Sequence, residues 1–422
     1  MNPDGLAELI SGKEMVVTVG SGGVGKTSIS ATMALHAAST LGIKVLVITV
    51  DPARRLADAL GVAGLGNLES QVSESAFNSA GLPIRGELWA VQLDTKRSWD
   101  DLVMRYAASE EEAFKILENP LYQGFSARFI QSHDYIAMER LYDLHSQGNY
   151  DLIVVDTPPS RNAVDFVEAP KRVQEFFGGR LLRLLTVPYR VGGDFGGRVI
   201  NFAAKPFYRI ADQILGSQFL EDIAEFFLSF QSMYEGFTRR AAAIETLLKS
   251  RQTTFVVVST LEPAAFAEAQ YFCELLTRNS MPVGALILNK VLPEYLLDVE
   301  LGRKAELLSD SSLSKSVAAS IGVAGEKDKE RMLSRVLQEI AENFTNFQTV
   351  ALREAEEERS MRYRPDVVAK VPFVPTDLVD LDGLSKLASG LFGDGSGEGG
   401  TGEKGLTPPA DLEARRQGRG RR

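Results

Sequence analysis

The run GSGGVGKTSIS, Gly20 to Ser30, follows directly on the apolar stretch MVVTV (Met15–Val19). A strand that empties into a glycine-rich loop, with a helix opening straight after it, leaves few folds available to the chain. Gly20 and the Gly25-Lys26-Thr27 triplet five residues later satisfy G-x-x-x-x-G-K-[ST]. Glycines let successive backbone N–H groups converge on phosphate oxygens, the lysine neutralises β/γ charge, and the hydroxyl ligates Mg²⁺. The helix adds the positive end of its dipole. Gly20, Ser21, Gly22, Gly23, Val24, Gly25, Lys26, Thr27 and Ser28 therefore form the predicted phosphate-binding segment.

Such a loop needs a sheet. Segments rich in Val, Ile and Leu at Met15–Gly20, Lys44–Asp51, Leu88–Leu93, Asp151–Asp156, Thr253–Ser259, Val283–Asn289 and Val367–Phe373 read as strands covered on both faces. Helical stretches include Thr27–Leu41, Pro263–Asn279 and Asp328–Ser360. The alternation predicts an α/β fold, a doubly wound and mainly parallel sheet. Helical insertions at about 96–147 and 170–250 interrupt a domain expected to span 1–392. Residues 393–422 carry almost no large apolar side chain and are expected to be disordered.

Two predicted strands end in aspartate: VLVITVD in Asp51 and DLIVVD in Asp156. Strand C-termini of a doubly wound sheet point into the ligand crevice. Asp156 reads as the metal-holding acid of a nucleotide hydrolase, and Asp51 as the group that orients or deprotonates water. Thr27, Asp51 and Asp156 make up the predicted Mg²⁺-facing set, and Lys26 and Asp51 the predicted catalytic pair.

With GGVGKTS, DPARRLADAL and DTPPSRNA on the page, the chain resembles the arsenite-translocating and tail-anchored-protein-targeting ATPases (ArsA and its eukaryotic targeting relatives). These belong to the deviant-Walker-A class with MinD and ParA. FQSMYEGFTRRAAAIETLL, LILNK and VPFVPTDL extend the likeness from about residue 14 to 390. The resemblance implies ATP with Mg²⁺, water activation by Asp51, adenine recognition by Asn289, and a homodimer, or a heterodimer with a paralogue, with ATP near the interface. One residue departs from the class. Its second loop position is a lysine that reaches the partner's phosphates, and here it is Ser21. Arg54, Arg55 and Arg161, next to the two switch aspartates, are the candidate substitutes, because guanidinium pairs bidentately with phosphate oxygens.

Composition narrows the partners. A net charge of −10 argues against general nucleic-acid binding. No apolar run reaches transmembrane length, so membrane contact is expected to be peripheral at most. The opening MNPDGLAELISGKE lacks a signal-peptide pattern, and the single Cys273 fits a reducing compartment, so a cytoplasmic protein is expected. Arsenite needs several thiolates, and one cysteine argues against it as cargo. The histidines His36, His133 and His145 share no ligand spacing. In FLEDIAEFFLSFQSMYEGF, Phe219, Ile223, Phe226, Phe230, Met233 or Tyr234, and Phe237 fall at helical spacing. That stripe is either internal packing or a groove for a hydrophobic client helix. The rival readings are a ParA-like or MinD-like positioning ATPase and a nucleotide-gated scaffold that hydrolyses ATP very slowly.

Overall fold

The computed structural model describes residues 3–50, 55–62, 64–107, 109–119, 122, 132–157, 169, 171, 236, 238–374 and 380–393. Asp51, Arg54 and Arg161, every residue of the predicted client stripe from Phe219 to Phe237, and the tail beyond Gly393 lie outside them.

The described strands are β1 Met15–Val19, β2 Lys44–Thr49, β3 Ser70–Gln71, β4 Glu87–Gln92, β5 Leu152–Asp156, β6 Thr253–Ser259, β7 Val283–Val291 and β8 Val367–Pro372. They form one sheet in the order β3-β4-β2-β5-β1-β6-β7-β8. Every pairing is parallel except β3 with β4. The fold is thus α/β with a mainly parallel sheet. The sequence pattern missed β3, because two residues carry no periodicity. Its pairing with Trp89 and Ala90 of β4 creates it.

Burial explains the double winding. Every residue of β1, β5 and β6 is buried. In β1, Met15, Val17 and Val19 enter one apolar layer with the helices Thr95–Tyr106, Ser132–Gln147 and Pro263–Arg278. Val16 enters the opposite layer with Pro3–Ser11, Lys26–Ser39 and Leu381–Phe392. Each fully buried Val, Leu or Ile contributes roughly 1.5–3 kcal/mol, so a strand buried on both faces is held far better than a surface strand.

Topology positions the site. From β1 the chain passes across β5 to β2, whereas from β5 it passes across β1 to β6. The connections leave in opposite directions, so the crevice at the C-terminal ends of β1 and β5 is a topological switch point, where open α/β sheets bind ligands. Thr18 of β1 and Asp156 of β5 are register partners there.

Candidate functional site

The glycine loop fills the gap between β1 and the helix Lys26–Ser39. Its glycines are steric requirements. A Cβ on Gly20 would stand 2.1 Å from the Val258 carbonyl oxygen of β6. Gly25 has φ +96°, and a Cβ there would stand 2.3 Å from Nδ2 of Asn289. Only glycine holds a left-handed conformation at so close an approach without strain.

Lys26–Ser39 has no side-chain N-cap, as is also true of Pro263–Arg278 and Lys327–Arg359, but it alone of the three starts after a left-handed glycine. Helices starting at Glu74, Thr95, Glu110, Val299, Ser311 and Leu381 each receive a Ser or Asp side-chain cap. Lys26–Ser39 starts after Gly25, which brings no side-chain acceptor. A half-buried, glycine-led helix start with no side-chain cap suits an anion as its cap. Lys26 is buried, and its Nζ donates to the carbonyls of Gly20, 3.0 Å, and Ser21, 2.9 Å.

Two distant motifs meet beside it. Thr27 Oγ1 donates to Asp156 Oδ2 at 2.8 Å, across 129 residues of sequence. Thr49 Oγ1 of β2 donates to the same oxygen at 3.0 Å. Asp156 is fully buried. These are hard oxygen donors at the mouth of a phosphate loop, a set that suits Mg²⁺, which binds through one or two protein oxygens plus phosphate and water. β2 ends alongside, since Thr49 and Asp156 are register partners. Arg55 opens the helix Arg55–Leu60 and is exposed.

Three further side chains grip the loop. Asn289, at the end of β7, donates from Nδ2 to the Val24 carbonyl at 2.8 Å, and its Oδ1 accepts from the Lys290 N–H at 3.0 Å. Lys290 has φ +61°, a conformation uncommon outside glycine and asparagine. Its exposed Nζ donates to the Gly23 carbonyl at 3.1 Å. Ser21 Oγ donates to the Glu268 carboxylate on Pro263–Arg278. The second loop position, a reaching lysine in the resembling class, is here a hydroxyl tied to an acid.

Sequence reasoning missed Glu268 and Lys290. Lys290 had a signal, since it follows Asn289 at a strand end that opens on the crevice. Glu268, inside PAAFAEAQYFCELLTR, had none. Cys273 on the same helix is fully buried, and burial pushes its thiol up to about 12. It is an inert core group, not a soft-ion ligand. Among the described residues, no group of three or more His, Cys, Asp or Glu could hold a metal ion, and no helix is long and apolar enough to cross a membrane.

The sequence profile of a family described as anion-transporting ATPases matches residues 13–307. An Aquifex aeolicus protein bearing an arsenical pump-driving ATPase name is 24% identical over 391 residues, covering 90% of this chain and 79% of its own length. The ATPase BagA of Mycobacterium tuberculosis is 23% identical over 382 residues, 90% of this chain and 93% of its own. The ATPase ASNA1 homolog of Plasmodium berghei is 22% identical over 346 residues, 78% of each.

Proposed function

This chain belongs to the ArsA-type, anion-transporting ATPase family, and from that premise we propose that it is a cytoplasmic, Mg²⁺-dependent, homodimeric ATPase whose nucleotide state controls a helical region. The carrying observation is the Thr27–Asp156 contact at the switch point, which joins the loop to a second strand end 129 residues away. Loop N–H groups and Lys26 bind the phosphates, which fixes the nucleotide by its charge. Thr27 and Asp156 would hold Mg²⁺, which would supply positive charge to offset that of the phosphates. Asp51 orients the attacking water and accepts its proton. Asn289, whose amide also bonds Val24 and the Lys290 N–H, recognises adenine, as the resemblance implies.

Lys290 supplies the cation that Ser21 does not. Its ammonium lies on the loop carbonyl of Gly23, so it adds positive charge beside the phosphates from within the same chain. Arginine or lysine groups aimed at a transferring phosphoryl are worth roughly 10³–10⁵ in rate where they contact it directly. An ammonium that first serves a loop carbonyl gives less, so turnover is slow. Arsenite is not the cargo, because the thiol of Cys273 is buried and held protonated. The client is a hydrophobic helix, bound by the apolar insertion at 170–250.

A second reading is favoured by Glu268. An acid bonded to Ser21 puts negative charge at the position where the class places a cation, which suits a scaffold that closes on ATP and resets slowly. Two variants test the site. Lys26→Ala should weaken ATP binding at least 100-fold in calorimetry, and unchanged binding would move the site elsewhere. Asp51→Asn should keep ATP bound while turnover drops at least 100-fold, and wild-type turnover would make Asp51 structural. A wild-type chain that binds ATP but shows no turnover above background selects the scaffold.

A further inference from the structure

We propose that Glu268 is an electrostatic brake on the phosphate loop. Its carboxylate, bonded to Ser21, penalises each negative charge that a nucleotide brings, and so narrows the loop's preference for a triphosphate over a diphosphate. The inference rests on the nucleotide-binding reading above and assigns a specificity-determining residue within it.

β6 lies against the loop, its Val258 carbonyl filling the space that a Cβ on Gly20 would need. The helix Pro263–Arg278, which follows β6, carries Glu268. The half-buried Ser21 donates from Oγ to Glu268 Oε2, and its carbonyl accepts from Lys26 Nζ at 2.9 Å. Acid and lysine therefore hold two ends of one residue, which places the carboxylate within roughly 10 Å of the Lys26 ammonium. β7 brings the opposite charge: Lys290 Nζ donates to the Gly23 carbonyl at 3.1 Å, a short way along the loop. Lys26 and Lys290 attract phosphate, and Glu268 opposes them. No ion pair among the described residues includes Glu268, so no cation there cancels its charge.

The charge, and not the hydrogen bond, sets the role. A serine hydroxyl is satisfied by any neutral acceptor, a glutamine amide or a backbone carbonyl among them. A carboxylate adds a full negative charge at a half-buried position beside a loop whose ligand is a polyanion. One unit charge acting on another about 10 Å away at a partly exposed site shifts an equilibrium roughly three- to tenfold. ATP carries one more negative charge than ADP, with or without a bound cation, so the brake falls harder on ATP. With Glu268 in place the two nucleotides bind more evenly, and the diphosphate left by hydrolysis stays a competitor for the loop.

A charge series in the full chain tests the brake, read by calorimetry with ADP and with a non-hydrolysable ATP analogue, so that no turnover enters. Glu268→Gln keeps an acceptor for Ser21 and removes the charge. It should tighten the analogue roughly three- to tenfold and ADP less, raising the ratio of the two affinities about twofold or more. Glu268→Lys should carry the ratio further in the same direction. Raising salt from about 0.05 to about 0.5 M should shrink the Glu268→Gln gain, because screening weakens a charge effect and spares a packing effect. A gain that salt does not touch overturns the brake. A wild-type chain that binds both ligands, beside a Glu268→Gln chain with the same ratio, sinks the brake and keeps the nucleotide-binding reading. A wild-type chain that binds neither sinks both. Ser21→Ala breaks the bond and keeps the acid. If Ser21→Ala and Glu268→Gln both weaken binding of the analogue, the contact is a clamp that holds the loop, and the brake is overturned.

Discussion

The helices Lys26–Ser39 and Lys327–Arg359 do opposite things with the same backbone. Eleven of the 14 residues of the first are buried, and only Ala341 and Ala351 of the second's 33 are. The first is built from small side chains, Ala31, Ala34, Ala37 and Ala38 among them, so it can pass closely between the sheet and Leu381–Phe392. Burial on all sides leaves little amphipathic pattern but fixes the start of the helix in space. A site that must hold phosphate benefits from that rigidity. The second helix spends one row of side chains on its own domain and leaves another open to solvent. The helix buried on nearly all sides starts at the phosphate loop, and the longer helix keeps an exposed apolar row.

The comparison breaks most sharply at paired isoleucines. Ile29 has no exposed surface, and Ile29→Ala should cost about 2–5 kcal/mol, lost transfer energy plus a cavity, read from denaturant melts. A cost under 1 kcal/mol would mean that this helix is not locked by its core.

Next comes His36 on the same helix. It stacks on Phe392 at 3.8 Å between ring centroids, and burial lowers its pKa to about 4. The folded chain holds His36 neutral, so as pH falls through about 6.5 the unfolded chain takes the proton first. Stability should decline from there to about pH 4, by on the order of 2–3 kcal/mol, and level off below. His36→Phe should remove that part of the acid-side slope. An unchanged slope would place the sensitivity in other groups.

Lys290→Ala sharpens the account of the loop. It should lower turnover roughly tenfold, about 1.4 kcal/mol of barrier, with little change in ATP affinity. Affinity and turnover falling together would make Lys290 a ground-state contact. The smallest effect is on the long helix, where Ile340→Ala should change monomer stability by no more than about 0.5 kcal/mol. A larger loss would show that the spare row already packs against this chain.

Much of the fold was legible because it rests on local rules. Seven strands appear where Val-rich runs predict them, and Pro263–Arg278 and Lys327–Arg359 end within a residue or two of the predicted bounds. The misses share a cause. β3 exists only as a partner of β4. β7 continues two residues past Asn289, through an irregular register and a left-handed Lys290, because the turn there is shaped by loop contacts and not by its own residues.

Within the site, the sequence alone determined the phosphate loop, since its glycines, Lys26 and Thr27 are contiguous and each is demanded by backbone geometry or charge. It also placed Asp156 at a strand end, because apolar runs stop where the sheet does. Tertiary structure alone decided that Thr27 and Asp156 touch, since strand order cannot be read from strand pattern. It alone brought Glu268 to Ser21, Lys290 to Gly23 and Asn289 to Val24. Those contacts span 247, 267 and 265 residues, and at such separation no local preference acts; only the packing of β6 and β7 beside β1 draws the groups together.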